Sequence, residues 1–162
     1  MTPPPIRHAV TAADMAQARA LFEEYAAWLA VDLCFQGFAE ELATLPGAYA
    51  PPRGRLLLAG SAEASVGCIA LRPLADADAP PDSVGEVKRL YVKPAARGTG
   101  LGARLVTTLL DEARAIGYRT LKLDTIEWMR DARRMYARFG FVECSPYYHN
   151  PVPGAVYMRR DL

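Results

Sequence analysis

Three glycines stand at alternate positions behind an arginine in AARGTGLGARLV, residues 95–106: Arg97, Gly98, Gly100 and Gly102. Without Cβ atoms, such a loop lets its backbone approach a ligand closely. An apolar, strand-like run precedes it and a helical pattern comes after it. A loop that opens a helix aims free N–H groups and the positive end of the helix dipole at whatever binds there, so the chemistry on offer is anion binding. Arg97 adds a positive side chain. A turn alone would need one glycine rather than three. The spacing fits neither common phosphate motif. No Gly-x-x-x-x-Gly-Lys-Ser/Thr run is present, and Gly98-Thr99-Gly100-Leu101-Gly102 falls one residue short of the dinucleotide pattern Gly-x-Gly-x-x-Gly. Asp124, 22 residues after Gly102, keeps a nucleotide or S-adenosylmethionine ligand open.

The elements that must hold this loop are legible on both sides. Ile6–Val10 reads as a short strand. Thr11 and Asp14 form the signature of a capping box. Met15, Ala18, Leu21, Phe22, Tyr25 and Leu29 recur at helical spacing to about Ala30. A shorter helix spans roughly Gly37–Leu45, and prolines and glycines break the chain after it. Arg55–Ser61 and Ser65–Leu74 read as paired strands, and Val84–Val92 as a third. Leu101, Leu105, Val106, Leu109, Leu110 and Ile116 mark one face of a helix that Gly117 closes. Thr120–Thr125 is a strand, Met129–Phe139 a helix closed by Gly140, and Phe141–Cys144 and Ala155–Leu162 are the last strands. Strand, two helices, three strands, helix, strand, helix, two strands describes an α/β mixed sheet with helices on its faces, not a repeating doubly wound pattern.

Composition bounds the rest. The 162 residues suit one domain, 1–162, with residues 1–5 expected to be extended and mobile. A net charge of +1 favours neither nucleic acid nor an anionic membrane as partner. The charge is unevenly spread: 5 basic and 11 acidic residues from Met1 to Val87, then 12 basic and 5 acidic from Lys88 to Arg138. That asymmetry is consistent with an anionic ligand in the second half and equally with a solvated, arginine-rich helix surface. Three cysteines, none near a histidine and none at metal-ligand spacing, read as reduced thiols in a cytoplasmic protein, with no metal. MTPPPIRH lacks the apolar stretch of a signal peptide.

Arg97, Gly100 and Gly102 also spell Arg-x-x-Gly-x-Gly after the strand RLYV and Pro94. This resembles the acyl-coenzyme A signature of the GNAT acetyltransferase superfamily. The stretch EVKRLYVKPAARGTGLGARLV is similar to the core motif of that family nearly throughout. ARRMYARFGF matches its pattern Ala-x-x-x-Tyr-x-x-x-Gly-Phe at Ala132, Tyr136, Gly140 and Phe141. The order of elements agrees too. The likeness is strong from Val84 to Phe141 and topological elsewhere.

The resemblance implies the GNAT acyl-CoA N-acyltransferase fold: a twisted, mainly antiparallel sheet of about six or seven strands flanked by about four helices. It implies acetyl-CoA as co-substrate. Backbone N–H groups of Arg97, Gly98, Thr99, Gly100, Leu101, Gly102 and Ala103 would grip the pyrophosphate. The backbone of Leu90, Tyr91 and Val92 would pair with the pantetheine as a neighbouring strand does. Tyr136 holds the position of the family's usual general acid, facing the leaving sulfur. Glu86, eleven residues before Arg97, is the candidate general base; the alternative is an exposed strand glutamate paired with Lys88 or Arg72. The family's asparagine three residues before the motif alanine is Met129 here, with Thr125 as a stand-in.

Acceptor pockets of the family come from the first two helices and the loop between the last two strands. Tyr25, Trp28, Tyr147 and Tyr148 are the expected acceptor-binding residues, with Phe35, His149 and Asn150 in the same segments. The activity so implied is transfer of an acetyl group directly from acetyl-CoA to a primary amine of a small molecule or peptide. The alternative is a catalytically silent acyl-CoA sensor on the same fold. A homodimer is the assembly the family suggests.

Overall fold

A computed structural model describes residues 2–162. Among these residues seven strands form one sheet: β1 (Ile6–His8), β2 (Arg55–Gly60), β3 (Ser65–Pro73), β4 (Val84–Val92), β5 (Thr120–Ile126), β6 (Val142–Cys144) and β7 (Ala155–Asp161). Four α-helices accompany it: α1 (Ala12–Leu29), α2 (Phe38–Thr44), α3 (Leu101–Ile116) and α4 (Arg130–Arg138). The strand order is β1-β2-β3-β4-β5-β7-β6. Every neighbouring pair is antiparallel except β4 and β5, which the α3 crossover makes parallel. The elements follow the order read from the sequence, and short 3-10 turns at Cys34–Gln36, Gly47–Tyr49 and Pro94–Ala96 fill stretches expected to be loops.

The apolar runs of β2 and β3 are continuous because both faces are covered. Leu57, Ala59, Ile69 and Leu71 pack beneath Leu105, Leu109 and Ala113 of α3. Their neighbours Leu56, Leu58, Cys68 and Ala70 pack beneath Ala18, Leu21 and Phe22 of α1. Thus α3 and α4 cover one face of the sheet, and α1 covers the other.

The N-terminal segment is tied down from Pro4 onward, although residues 1–5 were expected to be mobile. The carbonyl oxygen of Pro4 accepts from Arg104 at 2.9 Å, and that of Pro5 from the N–H of Gly60 at 2.9 Å. Met1 lies outside the described residues.

The capping box of α1 forms as its residues predict, with Thr11 Oγ1 accepting from the N–H of Asp14 at 3.1 Å. Asp14 answers by accepting from the N–H of Thr11 at 2.9 Å and of Val10 at 2.8 Å, and it is paired with Arg7. These donors hold its carboxyl well below the usual carboxylate range. A depressed folded-state pKa stabilises the fold above the unfolded value, about 3.9, and that contribution fades as pH falls through the folded value. The stability gap between the wild type and Asp14→Asn is therefore expected to be full above about pH 5 and to narrow below about pH 4. Urea melts across that range check it; a gap that widens in acid contradicts the linkage.

Candidate active site

β4 and β5 pair only at their starts, through Val84–Thr120, Gly85–Leu121 and Glu86–Lys122. Beyond Glu86 the strands part. β4 stays on β3, while β5 pairs with β7 along its whole length. A bulge helps β4 turn away. Cys68 faces Tyr91 and Ala70 faces Lys88, so Arg89 and Leu90 together oppose Ile69. Arg89 sits at φ 60°, left-handed backbone that an L side chain adopts at a cost of roughly 1–2 kcal/mol. Its guanidinium is clamped by Glu41 at 2.8 and 3.0 Å and by Gln36 at 2.9 Å. The clamp comes from α2 and the turn before it, so the covering helix holds the strained strand.

The split opens a cleft. Lys88, Arg89 and Leu90 of β4 line one side; Asp124, Thr125 and Ile126 of β5 line the other. Tyr25 and Phe35 from the α1 side, Ala132 and Tyr136 from α4, and Asn150 complete the wall. Among the described residues, the edge of β4 that turns from β5 has no strand partner past Glu86. An extended ligand with amide groups fits such an edge by replacing the missing strand.

The glycine loop stands where β4 ends. Gly98 and Gly100 have φ 75° and 79°, and a Cβ at either would meet nothing within 4 Å. They are glycines for backbone conformation, not for packing. Gly102 has no such φ, and a Cβ there would lie 3.6 Å from Met135 Sδ. Gly100 is the N-cap of α3 and supplies no side-chain cap. The first-turn N–H groups of Leu101, Gly102 and Ala103 therefore have no partner within the helix. Arg97 does not reach over the loop. It donates to the carbonyl oxygen of Val92 at 2.9 Å, and its guanidinium lies 4.9 Å from the Trp28 ring centroid and 5.7 Å from that of Tyr91. Thr99 Oγ1 donates to the carbonyl of Ala96 at 2.7 Å and shapes the turn.

Tyr136 projects from α4 into the cleft wall and packs edge-on against Phe141 at 5.7 Å. Burial, with smaller contributions from Tyr25 and Asp124, pushes its hydroxyl well above the ordinary tyrosine pKa. The phenol is thus protonated at any physiological pH.

A chain of charged groups lies on the α1 face of the sheet. Glu86 is 1% exposed, not an exposed strand residue; Arg72 donates to Oε1 at 2.7 Å and Tyr147 to Oε2 at 2.6 Å. Lys88, also buried, donates to Asp124 Oδ1 at 3.3 Å. Asp124 Oδ2 accepts from the Tyr148 hydroxyl and from Asn150 Nδ2, the latter at 2.9 Å. Burial alone would raise the Asp124 pKa; Lys88 and these hydrogen bonds bring it below the usual carboxylate value. Burial lowers that of Lys88, and Asp124 and Glu86 offset part of the effect.

Of the expected acceptor residues, Tyr25 lines the cleft, and Tyr148 reaches it through Asp124. Tyr147 turns to Glu86 instead. Trp28 is 41% exposed and packs at a tilt against Trp128, ring centroids 5.7 Å apart, with Tyr91 at 6.4 Å. It belongs to an aromatic group at the loop end of the split. Thr125 and Met129 both line the cleft, where the Thr125 hydroxyl meets Met129 Sδ at 3.6 Å. Lys88 and Gln36 were not legible as site residues, since their partners are 36 and 53 residues away.

The comparisons with known proteins agree with this architecture. A family model described as Acetyltransferase (GNAT) family matches residues 20–141. An uncharacterized N-acetyltransferase of Schizosaccharomyces pombe is 37% identical over 150 residues, covering 92% of this chain and 89% of that protein. A crystal structure of an acetyltransferase from Streptococcus agalactiae superposes with TM-score 0.80 over all of both chains at 21% identity, a likeness of fold. A GNAT family acetyltransferase from Elizabethkingia anophelis, solved with acetyl-CoA bound, superposes with TM-score 0.54 over 68% of this chain and 77% of that one, at 19% identity. The loop, the split strands and the α4 tyrosine thus stand in a chain that belongs to the acetyltransferase (GNAT) family and is an N-acetyltransferase.

Proposed function

We propose that the chain transfers an acetyl group from acetyl-CoA directly to a primary amine of a small molecule or peptide. The observation that carries this reading is the split of β4 from β5 beside a loop whose first-turn N–H groups have no partner among the described residues. The split offers an unpaired strand edge to an extended amide-bearing arm, and the loop offers anion binding at its end. The residues fit the group: Gly98, Gly100 and the first turn of α3 would hold the pyrophosphate, and the backbone of Leu90, Tyr91 and Val92 the pantetheine. Arg97 serves this site through its hold on Val92 and the aromatic group. Acetyl-CoA supplies the acetyl group as a thioester.

The chain's own residues have three tasks. Tyr136 offers a protonated hydroxyl to the sulfur that departs. Tyr25 and Tyr148 shape the acceptor side, with Trp28 at its margin. The third task is proton removal, since an amine near pKa 10.4 loses its proton at pH 7 at a cost of roughly 4–5 kcal/mol. Glu86 has no face on the cleft. It would act at one remove: the Tyr147 hydroxyl donates to it at 2.6 Å, and because neither residue lines the cleft, a water between the acceptor and that hydroxyl has to complete the relay. Burial and the neighbouring Glu86 carboxylate keep that hydroxyl protonated, as a relay requires.

Glu86→Gln retains an acceptor for Arg72 and a partner for Tyr147, so the fold persists. It is expected to flatten the rise of rate with pH, and Tyr147→Phe to do the same. Unaltered pH profiles in both would remove Glu86 from proton transfer. The reading as a whole is tested by calorimetric titration with acetyl-CoA, with NAD and S-adenosylmethionine as controls, followed by thiol release with an amine panel. Saturable binding of acetyl-CoA alone with turnover is the expected result. Binding without turnover of any amine would favour an acyl-CoA sensor, and no binding at millimolar concentration would overturn both.

A further inference from the structure

The ammonium of Lys88 carries three N–H donors. Among the described residues it makes one hydrogen bond, to Asp124 Oδ1 at 3.3 Å; Glu86 Oε2 stands at 4.0 Å, outside hydrogen-bond reach. Its side chain is 3% exposed and forms part of the cleft wall. A buried cation with two unmet donors is costly unless an oxygen arrives to meet them. The surrounding charges are better satisfied. Glu86 is held by Arg72 and Tyr147, and Arg89 by Glu41 and Gln36. Asp124, which lines the cleft, accepts from three donors, and a carboxylate offers about four acceptor sites.

The side of the sheet decides what that oxygen belongs to. Val87 packs on the α3 side, so Glu86 and Lys88, one residue either way along β4, face the α1 side. Tyr136 packs with the α3 layer, on the opposite face. Lys88 and Asp124 therefore look toward the acceptor's side of the split. The ion pairs there are Arg72 with Glu86, Lys88 with Asp124, and Arg89 with Glu41. They leave the floor electrically neutral. A ligand of net charge adds an unbalanced charge to a buried site, whereas a zwitterion adds none.

Resting on the acetyl-transfer reading, we propose that the acceptor is a free amino acid. Lys88 receives its carboxylate and Asp124 its ammonium. Leu33, Phe35 and Val152, which line the same cleft, suit an apolar side chain. The ammonium first loses one proton to the base of the proposed reaction; the neutral amine then attacks the thioester carbonyl, the C–S bond breaks, and the departing coenzyme A thiolate takes up the second proton, leaving a neutral amide. The product then presents an anion with nothing to offer Asp124, which favours its release.

The test is thiol release from acetyl-CoA with the standard L-amino acids, set beside the decarboxylated amines and the amides of leucine, methionine and phenylalanine. At least one of these three amino acids is expected to show kcat/KM about thirtyfold or more above its amine and its amide, the scale of a lost charged hydrogen bond. Lys88→Met is expected to erase that ratio with acetyl-CoA affinity unchanged; the wild-type comparison stands even if this variant folds poorly. Amines or amides that match the amino acids, no acetylation of any amino acid, or a ratio that survives in Lys88→Met overturns the proposal. If acetyl-CoA binds and amines turn over without preference, the amino-acid acceptor alone falls. If acetyl-CoA does not bind, the acetyl-transfer reading falls with it.

Discussion

Gly102→Glu is expected to weaken acetyl-CoA binding at least about a hundredfold while leaving the melting temperature unchanged or slightly raised. The two effects have opposite signs because one carboxylate meets two partners. Gly102 lies in the first turn of α3, where the N–H groups are free and the helix dipole is positive. An acidic side chain there stabilises a helix by about 0.3–1 kcal/mol. The new Cβ would find ordinary contacts, Met135 Sδ at 3.6 Å and Val92 Cγ2 at 4.0 Å, so the fold accommodates it. For a pyrophosphate in the same cradle the carboxylate is a competitor. Two like charges about 4 Å apart near a protein surface repel by roughly 4 kcal/mol, and about 2.7 kcal/mol already gives a hundredfold. Gly102→Ala adds no charge and should bind nearly as the wild type does. Titration calorimetry beside thermal melts reads both signs. Unchanged acetyl-CoA affinity in the glutamate variant would mean that the coenzyme does not lie on this loop.

Tyr136→Phe should lower kcat at least about tenfold, with acetyl-CoA affinity and stability close to wild type. The ring keeps its place: its edge-on contact with Phe141 needs no hydroxyl, and no hydrogen-bonded partner of that hydroxyl is found among the described residues. Removing it therefore leaves no buried group unpaired. In the proposed reaction the hydroxyl would act only when charge gathers on the sulfur. With a pKa pushed well above 10 by burial, against about 8.5 for a thiol, full proton transfer to the sulfur runs uphill. In the proposed reaction Tyr136 would act instead by a hydrogen bond that strengthens as the sulfur becomes anionic. Such bonds contribute about 1.5–3 kcal/mol, which corresponds to ten- to a hundredfold in rate. The same logic predicts that the rate profile has no limb belonging to Tyr136 below about pH 10. Turnover equal to wild type would take Tyr136 out of the mechanism.

What the sequence determined by itself was local. Glycines at alternate positions before an apolar-periodic run specify a loop that opens a helix, because backbone conformation and helix periodicity are short-range properties. Thr11 with Asp14, Gly117 after Ile116, and the strand runs around Val84–Val92 are of the same kind. So is the pairing of an Arg-x-x-Gly-x-Gly loop with the Tyr136 helix, which carried the family likeness. Only the tertiary structure decided which side chains share the cleft. Glu86 reads as an exposed strand glutamate or a base; Arg72 from the next strand and Tyr147, 61 residues on, close both its oxygens. Arg97 reads as a loop cation, yet the rings of Trp28 and Tyr91 draw it back along the strand. Lys88 looks like an ordinary strand charge, and Asp124 like a carboxylate for a nucleotide or S-adenosylmethionine, until the parting of β4 from β5 leaves them lining one cavity. The physical reason is the same in each case. A side chain's partners across a sheet are set by strand order and register, and these depend on how the whole chain buries its apolar faces, not on any local spacing.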